Sequence, residues 1–205
     1  MSSLRVAAPL NREARLALRL GDTVFLDGEI VATAGYPTHE RLVAGIARGE
    51  APPMPLQGAA FFHLGSMCRE VDGRLRPLYA NPTTSTRFNA FMPTLLRHFG
   101  FSALAGKGGL DADCVAAMAE TATVYFSMIG GGAPLLTDGL VEVVGTGWDD
   151  LIAQFRLTRF RVRGFGPLTV AIDAHGNSVY ADLAAGARAR SAEILRKPRQ
   201  TTPGG

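Results

Sequence analysis

Residues 81–109 read Asn-Pro-Thr-Thr-Ser-Thr-Arg-Phe-Asn-Ala-Phe-Met-Pro-Thr-Leu-Leu-Arg-His-Phe-Gly-Phe-Ser-Ala-Leu-Ala-Gly-Lys-Gly-Gly, and their order sets the class of fold. Pro82 disfavours helix at Asn81, and Thr83, Thr84 and Ser85 are cap-type residues. Phe88, Phe91, Met92, Leu95, Leu96 and Phe99 then recur at helical spacing. A helix is therefore expected to start between Thr83 and Ser85 and to end near Gly100. The apolar run 101–104 follows as a buried strand, with Lys107 in the glycine-flanked turn 106–109 at its exit. Ligands of open α/β folds gather at such exits. The free N–H groups and positive dipole end of that helix, with Arg87 in its first turn, would form an anion site. Helix capping and turn chemistry explain the same residues, so the segment alone leaves both readings open.

Outward from this stretch, strands and helices alternate. Residues 23–32 read as a hairpin about Asp27-Gly28, a favoured two-residue turn. Thr38 can cap a helix that places Leu42, Val43 and Ile46 on one face, and Pro52, Pro53 and Pro55 end it. Residues 59–64 form an apolar strand, and Asp111 caps a helix with Val115, Met118 and Ala122 inward. Residues 123–126, 157–162 and 168–173 read as strands, 129–134 as a glycine-rich turn. The last strand is expected to return through His175-Gly176-Asn177 into 178–181. The pattern is α/β, with a mixed sheet and flanking helices.

Composition narrows the function. A chain of 205 residues, 47% hydrophobic and 19% charged, can fill one core and does not need two domains, so 1–205 is expected to be a single domain. No apolar run reaches membrane-spanning length and no signal-peptide core opens the chain, so a cytoplasmic protein without membrane contact is expected. Cys68 and Cys114 lack metal-site spacing, which suggests neither a disulfide framework nor a metal site in this chain. The net charge of +3 owes much to Arg188, Arg190, Arg196, Lys197 and Arg199. Without interleaved aromatics that cluster is no nucleic-acid motif, and residues from about 184 to 205 read as a basic, partly disordered tail.

Several motifs together resemble one family. Pro-Thr-Thr-Ser-x-Arg at 82–87, Gly-Lys-Gly-Gly at 106–109, Gly-Asp-Thr-Val-Phe-Leu-Asp-Gly at 21–28 and His39 with Arg41-Leu42 are four of them. Phe62-His63-x-Gly65, Phe165-Gly-Pro-Leu168 and Ile172-Asp-x-His-Gly-Asn177 complete the set. In order and spacing they resemble the β subunit of the iron–sulfur hydro-lyases, the tartrate dehydratase and class I fumarase family. The resemblance implies the swivelling β/β/α fold. It implies reversible dehydration of a small hydroxy-dicarboxylate, tartrate-, malate- or fumarate-like, in a hetero-oligomer. The [4Fe-4S] cluster would be carried by the cysteines of a partner α subunit, with no cofactor ligand in this chain. A non-catalytic carboxylate-binding or assembly subunit that keeps the fold is the alternative.

The resemblance also assigns roles. Thr83 matches a residue of proton transfer, Lys107 a cation that neutralises carboxylate or enolate-like charge, and Arg87 a carboxylate clamp. Thr84 and Ser85 would donate to substrate or simply cap, and His39 matches the motif's histidine, as a donor or a structural group. His63 and His175 read as packing and turn residues. Departures from the family pattern stand at Gly35 and Tyr36, where arginine and aspartate are expected, at Ser66 for proline and at Asn81 for glycine. Loss of a bidentate arginine removes two charge-assisted hydrogen bonds, each worth about 1.5–3 kcal/mol. An altered substrate, or another group that compensates, is the expectation that follows.

Overall fold

The run Ala60-Phe61-Phe62-His63-Leu64 has no polar face, as expected of a strand covered on both sides. A computed structural model describes residues 3–196 and shows what covers it. The strands are β1 (Ser3–Ala8), β2 (Thr23–Thr33), β3 (Ala60–Val71), β4 (Arg74–Pro82), β5 (Ala103–Gly106), β6 (Val124–Ser127), β7 (Leu140–Gly147) and β8 (Leu157–Ile172). The helices are α1 (Arg12–Ala17), α2 (Tyr36–Arg48), α3 (Met92–Phe99), α4 (Ala112–Thr121), α5 (Ala133–Asp138) and α6 (Val179–Arg196), with a 3-10 turn at Ser85–Phe88.

Strand order is β1-β2-β3-β5-β6-β8-β7, and β4 adds to β3. β1, β2, β3, β5 and β6 run parallel, while β8 runs antiparallel to β2, β6 and β7. Because β8 pairs with both β6 and β2, strands β2, β3, β5, β6 and β8 close a ring. Alternate side chains therefore serve two cores. Phe62, Leu64, Ala105 and Phe126 join Phe160, Phe165 and Leu168 of β8 in one. Phe61, Leu104 and Tyr125 join Met92, Leu95, Phe99 and Met118 of the helices in the other. Three layers result, antiparallel sheet, parallel sheet and helices, which is the expected β/β/α arrangement. Each fully buried Leu or Phe contributes about 1.5–3 kcal/mol through removal from water.

Some elements differ from the sequence reading. Asp27-Gly28 turns no hairpin: β2 runs unbroken through it, with register shifts on either side of Leu26 where it pairs with β8. Asp27 is held by Arg5 and accepts from the Gly164 amide, and Gly28 lies against β1. The hairpin turn is instead Asp72-Gly73, whose φ angles of 51° and 70° suit the tight turn joining β3 to β4. Residues 157–162 and 168–173 belong to one long strand, β8, and residues 179–181 begin α6 rather than a strand. The tail is helical as far as Arg196; residues 197–205 lie outside the described residues. Among the described residues no helix is long and apolar enough to cross a membrane.

Gly28 has φ 125°, and a Cβ there would fall inside the van der Waals radius of the Ala8 carbonyl oxygen. Gly28→Ala is accordingly expected to cost roughly 2–4 kcal/mol, combining backbone strain with overpacking, in urea unfolding. A loss below ~0.5 kcal/mol would show that β1 yields there.

Candidate active site

The carboxyl-terminal ends of β2, β3, β5 and β6 open on one edge of the sheet, bringing Gly35, His63, Lys107 and Ser127 to it. β3 continues past His63 into the hairpin with β4, and β4 returns with Asn81 and Pro82 opposite Gly65 and Leu64. The chain then inserts between the exits of β3 and β5. The Thr83 amide donates to the His63 carbonyl (3.0 Å), the Lys107 amide to the Thr83 carbonyl (3.0 Å) and the Ser85 amide to the Lys107 carbonyl (2.9 Å). Residues 83–85 thus act as one more rung of parallel sheet, recorded as a bridge between Thr84 and Lys107.

This corrects the expected helix start. Residues 85–88 make only a short 3-10 turn, and α3 begins at Met92 with Pro93 in its first turn. Pro93 has no N–H to donate and its ring would clash with the Asn89 carbonyl in a continuous helix, so two elements replace one. The amides of Thr83 and Ser85 are already paired within the sheet and do not lie free at a helix start, so the positive charge at this edge comes from side chains. Arg87 is exposed and Lys107 half-buried, with its aliphatic stem passing Gly130 in the glycine-rich turn after β6. Eight ion pairs form among the described residues, and neither Arg87 nor Lys107 takes part in one. Lys107 stands out in a chain of nineteen arginines and two lysines. A compact ammonium at this position, where the chain elsewhere uses arginine, is a compositional signal that motif reading passed over.

Beneath this edge lies a polar cluster without solvent. Ser85 is fully buried: its Oγ lies 2.8 Å from His63 Nδ1 and 2.9 Å from the Tyr125 hydroxyl, which also contacts the Gly108 carbonyl at 2.9 Å. The Ser85 hydroxyl therefore faces protein, which removes it from substrate contact. Thr84 is half-buried against Gly108, and Thr83 is half-buried at the junction. His39 sits in the helix-side core. It is fully buried, stacked on Phe88 with ring centroids 4.0 Å apart, and its Nδ1 donates to the Gly35 carbonyl at 2.6 Å. His39 and His63 lie ring to ring at 5.2 Å. Burial lowers the His39 pKa to about 4 against the pull of the Gly35 carbonyl, and burial with His39 nearby lowers that of His63. Both are neutral at pH 7. Burial raises the Tyr125 pKa, so its hydroxyl keeps its proton. His175 braces the turn after β8, in contact with Arg19 and the Leu16 carbonyl.

Gly35 is more than an empty position. A Cβ there would lie 2.6 Å from the Phe155 carbonyl oxygen and 2.8 Å from its Cβ. That carbonyl accepts from the Thr33 hydroxyl (2.8 Å) and from the Thr38 hydroxyl, and the Gln154 carbonyl accepts from the Ala34 amide (2.9 Å). Thr38 thus ties down the 148–156 segment rather than capping α2, whose cap position is Gly35. The backbone of that segment fills the space that a side chain at residue 35 would enter.

The cysteines do not fit an iron–sulfur cluster. Cys114 is buried in α4 with its thiol directed at the Asn89 carbonyl (3.5 Å), Cys68 lies on the β3–β4 hairpin, and burial raises both thiol pKa values. Among the described residues no group of three or more His, Cys, Asp or Glu is placed to hold a metal ion.

Fold and site together define a three-layer α/β protein with Thr83, Thr84 and Lys107 at the exits of its parallel strands, Lys107 and Arg87 being outside every ion pair among the described residues. Residues 2–183 match the Fumarase C-terminus family, and the chain belongs to it. A putative L(+)-tartrate dehydratase subunit beta of Methanocaldococcus jannaschii is 30% identical over 167 residues, 81% of this chain and 85% of the relative. The L(+)-tartrate dehydratase subunit beta of Escherichia coli K12 is 29% identical over 177 residues, 86% of each chain. A putative class I fumarate hydratase of Geobacillus stearothermophilus is 30% identical over 181 residues, 88% of this chain but 34% of that longer protein.

Two outcomes follow. With a folded-state pKa near 4 and an unfolded value near 6.5, His39 stabilises the fold fully above pH 6.5, and that stability drains away as pH falls toward 4. Urea unfolding should show a loss of about 2 kcal/mol between pH 7 and 4.5 from this residue. A His39→Leu variant with an unchanged slope would contradict it. Gly35→Arg should lower the thermal midpoint by several degrees, the effect of about 1–3 kcal/mol of overpacking, and an unaltered midpoint would show that the 148–156 segment moves aside.

Proposed function

We propose that this chain is the β-type subunit of an iron–sulfur hydro-lyase that reversibly dehydrates a small hydroxy-dicarboxylate, tartrate-, malate- or fumarate-like. The observation that supports the reading is the rung between Thr84 and Lys107, which docks the segment bearing Thr83 and Arg87 onto the exit of β5, with neither Arg87 nor Lys107 in an ion pair among the described residues. Family membership and the names of the relatives point the same way. Lys107 and Arg87 hold a substrate carboxylate. Lys107, half out of water, also lowers the cost of negative charge that builds as a proton leaves the carbon beside that carboxylate. Thr83, beside Lys107 along the backbone rung, supplies a hydroxyl to orient the substrate and pass a proton.

Since this chain cannot ligate a [4Fe-4S] cluster, the cluster and the remaining half of the site are assigned to an α subunit in a hetero-oligomer. The crowding at Gly35 favours a substrate whose second carboxylate is held elsewhere, or one that is altered there. The test is anaerobic co-expression with a cluster-bearing α subunit and a screen of tartrates, malate and fumarate. Lys107→Ala should lower kcat/KM by roughly ten- to a hundredfold, the equivalent of one charge-assisted hydrogen bond. Turnover that survives the substitution unchanged removes Lys107 from the site. Binding of a dicarboxylate without turnover, in a complex whose cluster is loaded, would favour the non-catalytic subunit instead.

A further inference from the structure

We propose that Ser85 and Tyr125 are positioning residues of this site, joined to His63 in a one-way hydrogen-bond chain that fixes the Lys107 turn against Thr83. The inference rests on the carboxylate site proposed above. Proton counting sets its direction. The Gly108 carbonyl can only accept, so the single proton of Tyr125 goes to it across 2.9 Å. With that proton committed, the 2.9 Å contact between the two hydroxyls is carried by the Ser85 proton, directed at the Tyr125 oxygen. The remaining contact, 2.8 Å from His63 Nδ1 to Ser85 Oγ, needs a proton on Nδ1. This arrangement gives each of the three contacts its own proton, with none shared. The chain therefore runs from His63 through Ser85 and Tyr125 to the Gly108 carbonyl, every link with one donor and one acceptor.

The chain crosses the exits that build the site. His63 comes from β3, Ser85 from the inserted segment, Tyr125 from β6 and Gly108 from the turn after β5. Ser85 and His63 are fully buried, so water cannot replace a lost link without entering the core. Two glycines leave the room it needs. A Cβ at Gly106 would overlap the Ser85 hydroxyl, and one at Gly109 would lie 2.7 Å from the ring of Tyr180, which packs edge-on to Tyr125. The glycine-flanked turn therefore has a reason beyond backbone freedom: it admits the buried link on one side of Lys107 and the tyrosine pair on the other.

Lys107 and Lys197 are the only lysines of the chain, so the rate at which an amine-directed acylating reagent labels Lys107 can be read against Lys197 in the same molecule. In Ser85→Ala and in Tyr125→Phe, both checked as folded by circular dichroism, the labelling ratio should shift by roughly two- to tenfold, the equivalent of one net hydrogen bond. The double variant should shift it no further than the larger single change, because one chain carries both. In the complex assembled with its α subunit, kcat/KM should fall by a comparable factor. Tyr125→Phe retains the ring and its packing, and decides the matter if Ser85→Ala fails to fold. An unchanged ratio in folded Tyr125→Phe, or shifts that add in full, overturns the inference. A shifted ratio in a chain whose loaded complex turns over no hydroxy acid keeps the chain of hydrogen bonds and overturns the proposed function instead.

Discussion

Two backbone hydrogen bonds, from the Lys107 amide to Thr83 and from the Ser85 amide to Lys107, join the segments that carry the proposed site. They dock a segment that would otherwise be a loop after β4 onto the exit of β5, so residues more than twenty positions apart in sequence share one edge. The rest of the fold serves this contact. The closed ring of β2, β3, β5, β6 and β8 holds the strand exits in register, and the β3–β4 hairpin carries the Pro-Thr-Thr segment back to the place where β3 leaves the sheet. Backbone pairing is stiff and indifferent to charge, which suits a scaffold that carries two cations outside every ion pair among the described residues.

Polar groups beneath the edge complete the arrangement without water. His39 and His63 are kept neutral by burial, so the core adds no charge of its own to that of Lys107 and Arg87. Their ring protons are committed to the Gly35 carbonyl and to Ser85, and both rings pack against Phe88, the last residue of the 3-10 turn. At the neighbouring exit the Phe155 carbonyl, clasped by Thr33 and Thr38, closes the space beside Gly35. The absence of a side chain at that position is thus matched by backbone that could not coexist with one.

Much of this was legible in the sequence. Alternation of apolar strands and helices gave the α/β class, and Lys107 was placed correctly at a strand exit because apolar run, glycine and turn form a strong local pattern. Two Asp-Gly pairs were equal as turn signals, and only tertiary contacts separate them: Asp27 finds Arg5 and the Gly164 amide, whereas Asp72 meets nothing that would keep the chain extended. The helix start at Thr83 misled because helical spacing continued through Pro93, whose missing amide divides the run. Ser85 reads as a substrate donor or a cap because sequence carries no information on depth; its partners, His63 and Tyr125, lie 22 and 40 positions away. Tyr125 itself, an aromatic residue in an apolar strand, gave no sign that its hydroxyl mattered.

The central claim is that Lys107 meets the substrate carboxylate in the assembled enzyme. A chain with two lysines allows a direct measurement: lysine labelled with carbon-13 at Cε gives two resonances, one for Lys107 and one for Lys197. Titrating the complex with a hydroxy-dicarboxylate that it turns over should move the Lys107 resonance in proportion to site occupancy and leave that of Lys197 in place. A Lys107 resonance that stays fixed at saturating substrate would contradict the account.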